Sequence, residues 1–195
     1  MTVELGVRER KKLAARTALT SAALSLFQRN GFDATTVNDI AHLAGMSPRT
    51  FFRYFDTKED VVFQDAPRHL EALRSYLRDR PESETNGAAL RAALLSFAEM
   101  LEVERDEIQL RAQLASSART LAERAAIEVQ NWSLALAEEL MRRPGDPDAT
   151  GCHLLAGAGI NVLTVAIMLR SNGDRKLPEL TEYCYQQLAA ALCTS

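Results

Sequence analysis

Apolar residues recur along this chain at intervals of three and four. Leu19, Ala22, Ala23, Leu26 and Phe27 begin the pattern, and this spacing buries one face of a helix. It predicts a first helix from about Val7 to Asn30, with Gly31 in the left-handed position just past its end and Phe32 packing back on the last turn. Thr36 opens a second helix as its cap, and Asp39 three residues on answers it reciprocally. Ile40, Ala41 and Ala44 form its buried face, and Gly45 ends it after about two turns. Ser47 caps a third helix with Pro48 at its first position, where a missing N–H costs nothing, and that helix ends near Phe55. Thr57 with Asp60 repeats the cap and starts a fourth helix reaching about Arg80.

Beyond it, Pro81 to Gly87 reads as a loop, followed by helices at about Gly87–Glu102, Asp106–Ala115 and Arg119–Arg143. The run Arg143-Pro144-Gly145-Asp146-Pro147 is a strong break. A helix from about Asp148 to Ser171 ends at Asn172-Gly173, and a last one runs from Pro178 to Ala191. Strand-like alternation is nearly absent, so the expected fold is all-α with about nine helices. A three-helix N-terminal domain with a helix-turn-helix occupies residues 1–60, and a larger helical-bundle domain occupies 61–195.

The net charge of −3 argues at first sight against nucleic acid, but its distribution alters that picture. Residues 1–60 carry 9 Lys+Arg against 7 Asp+Glu, and the remainder carries 14 against 19. Arg8, Arg10, Lys11, Lys12 and Arg16 crowd the N-terminus, a positive arm suited to phosphate contact, or alternatively a solvated helix face. Cys152, Cys184 and Cys193 are odd in number and lack CxxC spacing, so neither a disulfide framework nor a metal site is expected, and no cofactor motif is present. The N-terminus lacks the apolar core of a signal peptide. Cys152 to Leu169 is nearly long enough to span a membrane, but His153, Asn161 and nearby glycines favour a buried helix of a soluble, cytoplasmic protein.

A two-turn helix, a Gly-containing turn and a second short helix form the helix-turn-helix pattern over Val37 to Phe55. Ala41 and Ala44 allow a close helix crossing, and Val37, Ile40, Met46, Phe51 or Phe52, and Phe55 supply apolar anchors. The second helix can then present its N-terminal residues to base edges in a major groove. Ser47, Arg49, Thr50, Arg53 and Tyr54 are the candidates, with Arg49 foremost because a guanidinium pairs bidentately with guanine O6 and N7. Thr36 and Lys58 lie at helix N-termini, where phosphates are held. An ordinary helical hairpin is the plainer reading of the same spacing.

Residues 12–62 closely resemble the DNA-binding domain of TetR-family transcriptional regulators. The resemblance rests on Leu26-Phe27 with Gly31-Phe32, Thr35-Thr36-Val37 with Ile40-Ala41, and Ala44-Gly45-Met46-Ser47, continuing through Thr50-Phe51-Phe52-Arg53-Tyr54-Phe55-Asp56-Thr57-Lys58-Glu59-Asp60. It implies a homodimeric regulator that binds a palindromic operator in double-stranded DNA, most often a repressor, and releases it when a small molecule enters the C-terminal domain. The family's DNA-facing positions fall on Thr36, Ser47, Arg49, Thr50, Phe52, Arg53, Tyr54 and Lys58. Arg49 stands where Gly or Pro is common, and Phe52 replaces the usual Tyr. Having lost the hydroxyl, Phe52 is expected to pack first and to contact DNA second.

The C-terminal half resembles the family only in being helical. The implied architecture places a ligand pocket among its middle helices, with Leu73, Tyr76, Phe97, Met100, Leu101, Gln113, Leu114, Trp132 and Asn161 as candidate lining. The same apolar types serve equally as core. Small residues from Gly151 to Gly159 permit close helix approach, so Leu155, Gly159, Val162, Leu188 and Leu192 are candidates for a dimer interface or for packing within one subunit. The run Arg49 to Phe55 also resembles an actinobacterial subgroup of the family, which implies a hydrophobic or acyl-CoA-like effector.

Two other classes compete with this reading. An enzyme would need converging chemistry, yet His42, His69 and His153 are scattered, and no phosphate loop, HExxH or GxSxG is present. A helical adaptor has no need of Arg49, Arg53, Tyr54 and Lys58 together. No membrane partner is expected.

Overall fold

The computed structural model describes residues 6–145, 148–170 and 175–192. Among these the secondary structure is helical throughout, in two compact units. One comprises Met1–Gln64 with Leu114–Ala122, and the other Asp65–Gln113 with Glu123–Ser195.

In the first unit, α1 (Val7–Asn30) packs on α2 (Val37–Leu43) and on α4 (Glu59–Phe63), and α2 packs on α3 (Pro48–Phe51). The predicted stripe is the buried one: Leu19, Ala23 and Phe27 meet the solvent with 2% or less of their surface. Gly31 ends α1 at φ 85°, but its ψ of 156° is extended rather than left-handed helical. Its N–H still closes on the Phe27 carbonyl at 3.0 Å, and Phe32 folds back so that its ring lies 4.9 Å from that of Phe27. Both predicted caps of the helix-turn-helix form. The Thr36 hydroxyl accepts from the Asp39 N–H while the Asp39 carboxylate accepts from the Thr36 N–H, and Ser47 Oγ accepts from the Thr50 N–H. Gly45 turns between them at φ 67°, a conformation in which a side chain is strained. The α-helical part of α3 stops at Phe51, and hydrogen-bonded turns carry the chain on to Phe55.

The helix expected from Thr57 to Arg80 is divided. Its cap forms, with the Thr57 N–H donating to Asp60 at 2.9 Å, but α4 ends at Phe63 and α5 (Ala66–Arg78) begins after Gln64 and Asp65. The reason is Pro67: a ring there removes the N–H that would bond to the Phe63 carbonyl and crowds the preceding turn.

In the second unit α6 (Asn86–Val103), capped by Thr85, packs against α5, α9 (Ala149–Arg170) and α10 (Leu177–Leu192). The unit also holds most of α7 (Arg105–Ser117) and α8 (Arg119–Met141). Its core runs through Leu73, Leu77, Leu90, Leu94, Phe97, Leu136, Leu140 and Ile160. Glu139, only 3% exposed, ties α8 to α5 by accepting from Arg74 at 2.8 Å and Arg78 at 3.3 Å. The end expected for α9 at Asn172-Gly173 lies outside the described residues, as do Cys193 and Asp146-Pro147. By length and composition α9 is apolar enough to cross a membrane, although 39% of its most apolar window is already buried in the fold.

Candidate nucleic-acid interface

The helix-turn-helix buries its apolar side and turns its polar side outward. Ile40, Ala41 and Phe51 are fully buried and Phe55 nearly so, which fixes α3 against α2. Of the two candidate aromatic anchors, Phe51 is therefore the one used. Phe52, expected to pack first, stands out instead, with 56% of its surface exposed and its ring set edge-on to Phe51 at 5.6 Å. The turn of the helix decides this: residue 51 faces the core, so residue 52 is carried about 100° away from it.

Ser47, Arg49, Thr50, Phe52 and Arg53 together line one shallow concavity on this outer surface. Arg49 is exposed, and no partner among the described residues holds its guanidinium. A second groove joins the far end of this surface to the start of α1, lined by Arg8, Lys11, Lys12, Ala15, Arg53 and Tyr54, with Glu9 beside them. Positions 8, 11, 12 and 15 share a helical face, so the positive arm read from the sequence becomes a wall. Arg53 lies over the Tyr54 ring at 4.9 Å and donates to its hydroxyl at 3.0 Å, which orients both tips toward that groove. Thr36 is exposed at the cap of α2, where its hydroxyl and N–H donate to Asp39 and hold that carboxyl below its usual range.

Lys58 occupies a different setting from the rest. Its ammonium donates to the carbonyls of Phe32 at 2.8 Å and Thr35 at 3.0 Å and lies 4.3 Å from the Phe32 ring centroid. It therefore pins the α1–α2 turn to the start of α4, with one N–H left over. Arg16, counted with the basic arm, is exposed but engaged within its own unit: it donates to Gln64 at 3.1 Å and lies over Phe55. Gln64 escaped the sequence reading, because nothing local marks a residue 48 positions from Arg16 as its partner.

The candidate pocket residues do not form one group. Leu73, Phe97 and Leu101 are buried in the core of the second unit, with Tyr76, Met100 and Trp132 packed against it, and the Trp132 ring lies edge-on to Phe97 at 5.9 Å. Leu114 belongs to the other unit, and Gln113 and Asn161 are exposed. His69, read from the sequence only as one of three scattered histidines, is a buried ring within 3.1 Å of Glu104 Oε2 and edge-on to Phe97 at 6.1 Å. Burial lowers its pKa against the opposing pull of Glu104.

The candidate dimer residues also divide. Gly159 and Val162 are buried within their own chain, Leu155 and Leu188 are half-buried, and Leu192 is 72% exposed. An apolar groove between α9 and α10 is lined by Leu154, Leu155, Ala158, Leu188, Ala189 and Leu192 among others.

A capped helix-turn-helix with an exposed donor-rich second helix and a flanking basic groove defines a DNA-binding protein. Comparison with known proteins narrows this. Residues 19–64 match the bacterial regulatory proteins of the tetR family, and residues 84–193, more than half of the chain, match the MftR C-terminal domain. The chain belongs to the TetR family of transcriptional regulators, with an MftR-type C-terminal domain.

It is 39% identical over 88 residues to the HTH-type transcriptional regulator TcmR of Streptomyces glaucescens, covering 45% of this chain and 39% of TcmR. Over 79 residues it is 38% identical to the mycofactocin biosynthesis transcriptional regulator MftR of Mycobacterium tuberculosis, 40% of each chain. The matches thus span about two-fifths of the length of these curated relatives. The fold is similar to that of the fatty acid degradation regulator FadR of Bacillus halodurans (TM-score 0.66, 19% identity, 92% of this chain and 96% of that one). It is also similar to Thermus thermophilus FadR in complex with lauroyl-CoA (TM-score 0.58, 21% identity, 92% and 96%). These relatives are regulators of transcription rather than enzymes.

Proposed function

We propose that this chain is a ligand-responsive repressor that binds a palindromic operator as a homodimer. The observation that carries the reading is the outward-facing set Arg49, Phe52 and Arg53 on α3 and the turn that follows it, with Phe51 locked into the core, flanked by the basic groove of α1. Arg49 serves base reading, Ser47 and Thr50 add short donors, and Thr36, Arg53, Tyr54 and the basic groove serve the phosphates. Residues 1–60 act as the DNA-binding domain, and 61–195 as the domain for ligand and dimer contact.

Dimer formation is supported by the outer face of α9. Leu154 is 70% exposed and Met168 63%, with Val165 also exposed between them. With Ala158 and Asn161 these positions repeat at three and four residues, as a helix–helix seam does. An apolar stripe beside the α9–α10 groove fits a second copy of the chain better than a membrane, since two-fold symmetry lets one protein read both halves of a palindrome. The protein then works in the cytoplasm.

An acyl-CoA-like or other hydrophobic effector is supported by the lauroyl-CoA bound to the similar Thermus thermophilus protein. Such a ligand lowers operator affinity by the factor by which it prefers the DNA-free state.

The test is selection from randomised duplex DNA at a fixed, stated salt concentration. One enriched palindrome is the expected result. Folded protein that enriches nothing overturns the reading.

A further inference from the structure

We propose that Phe52 is a specificity-determining residue that reads the 5-methyl group of a thymine. The inference rests on the DNA-reading role of α3 and the turn after it, and extends that role to base choice.

Phe52 and Phe51 are adjacent in sequence and opposite in environment: Phe51 is fully buried, whereas Phe52 is 56% exposed. The edge-on contact between them at 5.6 Å and 86° backs the exposed ring with a buried one. Phe52 lines the same concavity as Arg49, Thr50 and Arg53.

A phenyl ring has no donor and no acceptor. It cannot read the nitrogen and oxygen edges of a base pair, nor hold a phosphate oxygen. The one apolar group that unmodified bases place in the major groove is the thymine methyl. Among these groove-facing side chains, Arg49 has the chemistry for guanine and Phe52 the chemistry for thymine. A half-site read by this surface therefore holds a methyl-dependent T·A pair as well as an Arg49-dependent G·C pair.

The experiment uses the full-length protein and the operator recovered by selection. Each thymine is replaced in turn by deoxyuridine, which removes the methyl and leaves every hydrogen-bonding edge unchanged. One thymine per half-site is expected to weaken binding by about three- to fivefold on replacement, the effect of losing one buried methyl. In Phe52→Ala that thymine-to-uracil difference vanishes while Arg49-dependent binding persists, and an unchanged circular dichroism spectrum shows that the variant is folded. Equal affinity for thymine and uracil at every position overturns the proposal, as does an undiminished difference in Phe52→Ala. Failure of the DNA-reading role itself is distinguishable, because then no sequence binds above background and Arg49→Ala changes nothing.

Discussion

Gly159 of α9 lies directly against Leu90 of α6: a β-carbon on the glycine would stand 2.9 Å from Leu90 Cδ2 and 3.1 Å from Leu94 Cδ1. The small residue is needed inside the chain, to bring α9 close to α6. A larger side chain there must displace two fully buried leucines. Gly159→Val is expected to cost about 1–3 kcal/mol through overpacking. Gly157, whose β-carbon would meet nothing within 4 Å, gives the opposite sign. Gly157→Ala is expected to stabilise by up to about 1 kcal/mol, the helix-propensity difference. Urea denaturation of both variants checks the pair, and equal effects would show that α9 does not approach α6 as described.

The two hydrogen bonds from Lys58 to the Phe32 and Thr35 carbonyls give this residue a structural task that its position at a helix start did not reveal. Lys58→Met keeps the stem and removes the charge. It is expected to lower stability by roughly 1–3 kcal/mol, as befits lost bonds from a charged donor. The salt dependence of DNA binding separates this task from phosphate contact. A slope of log K against log salt unchanged from wild type assigns Lys58 to architecture, whereas a slope reduced by about 0.9 assigns it to a phosphate.

The N-terminal unit was legible because its signals are local. Thr36 with Asp39, Gly45, and Ser47 with Pro48 each act within four residues, and each appears in the structure as expected. Phe51 and Phe52 mark where such reading stops, since two aromatics in a row satisfy one hydrophobic pattern and only helix phase assigns one inward. Pro67 was visible in the sequence, yet the long apolar pattern around it overrode its meaning as a break between α4 and α5. The second unit was legible only as helices. His69 and Glu104 are 35 residues apart, and Gly159 meets Leu90 across a far longer separation. Small and apolar residues on α9 satisfied a dimer seam and an internal packing seam alike, and burial alone separates Val162 from Leu154.

Arg49 and Lys12 are expected to fail in different ways. Arg49→Ala removes a donor that reads bases and should weaken operator binding by about 1–3 kcal/mol while flattening preference at one position. Lys12→Ala, from the α1 groove, should weaken binding to all sequences alike and reduce the salt slope by about 0.9. Titrations on operator and on a scrambled duplex at several salt concentrations separate the two. A uniform loss for Arg49→Ala would move it from base reading to the backbone.

A charge placed in the α9–α10 groove tests the dimer. Leu154 is already 70% exposed, so Leu154→Arg disturbs no core. In a dimer formed through this face each copy buries one added charge, and a buried unpaired charge is strongly unfavourable. Sedimentation should show the variant as a folded monomer that has lost operator affinity. A dimer as stable as wild type would move the interface away from this face.

The environment of His69 gives the fold a dependence on pH whose sign follows from its partners. Burial disfavours the charged ring, and the nearby Arg68 adds to this, whereas Glu104 and Asp65 pull the other way; burial wins, and the folded pKa lies below the ordinary value. The unfolded chain therefore takes up the proton first as pH falls. Stability is full above the ordinary imidazole value of about 6.5 and is lost as the pH drops through the folded one. Glu104 adds a second loss at lower pH. Burial raises its pKa, but hydrogen bonds from Arg68 and His69 bring it below the usual range, so its stabilisation fades as the carboxyl protonates. The melting temperature should fall between pH 7.5 and 5.5, and His69→Gln should flatten that part of the curve. A melting temperature that rises over the same interval would mean that the protonated His69–Glu104 pair outweighs the cost of burying its charge.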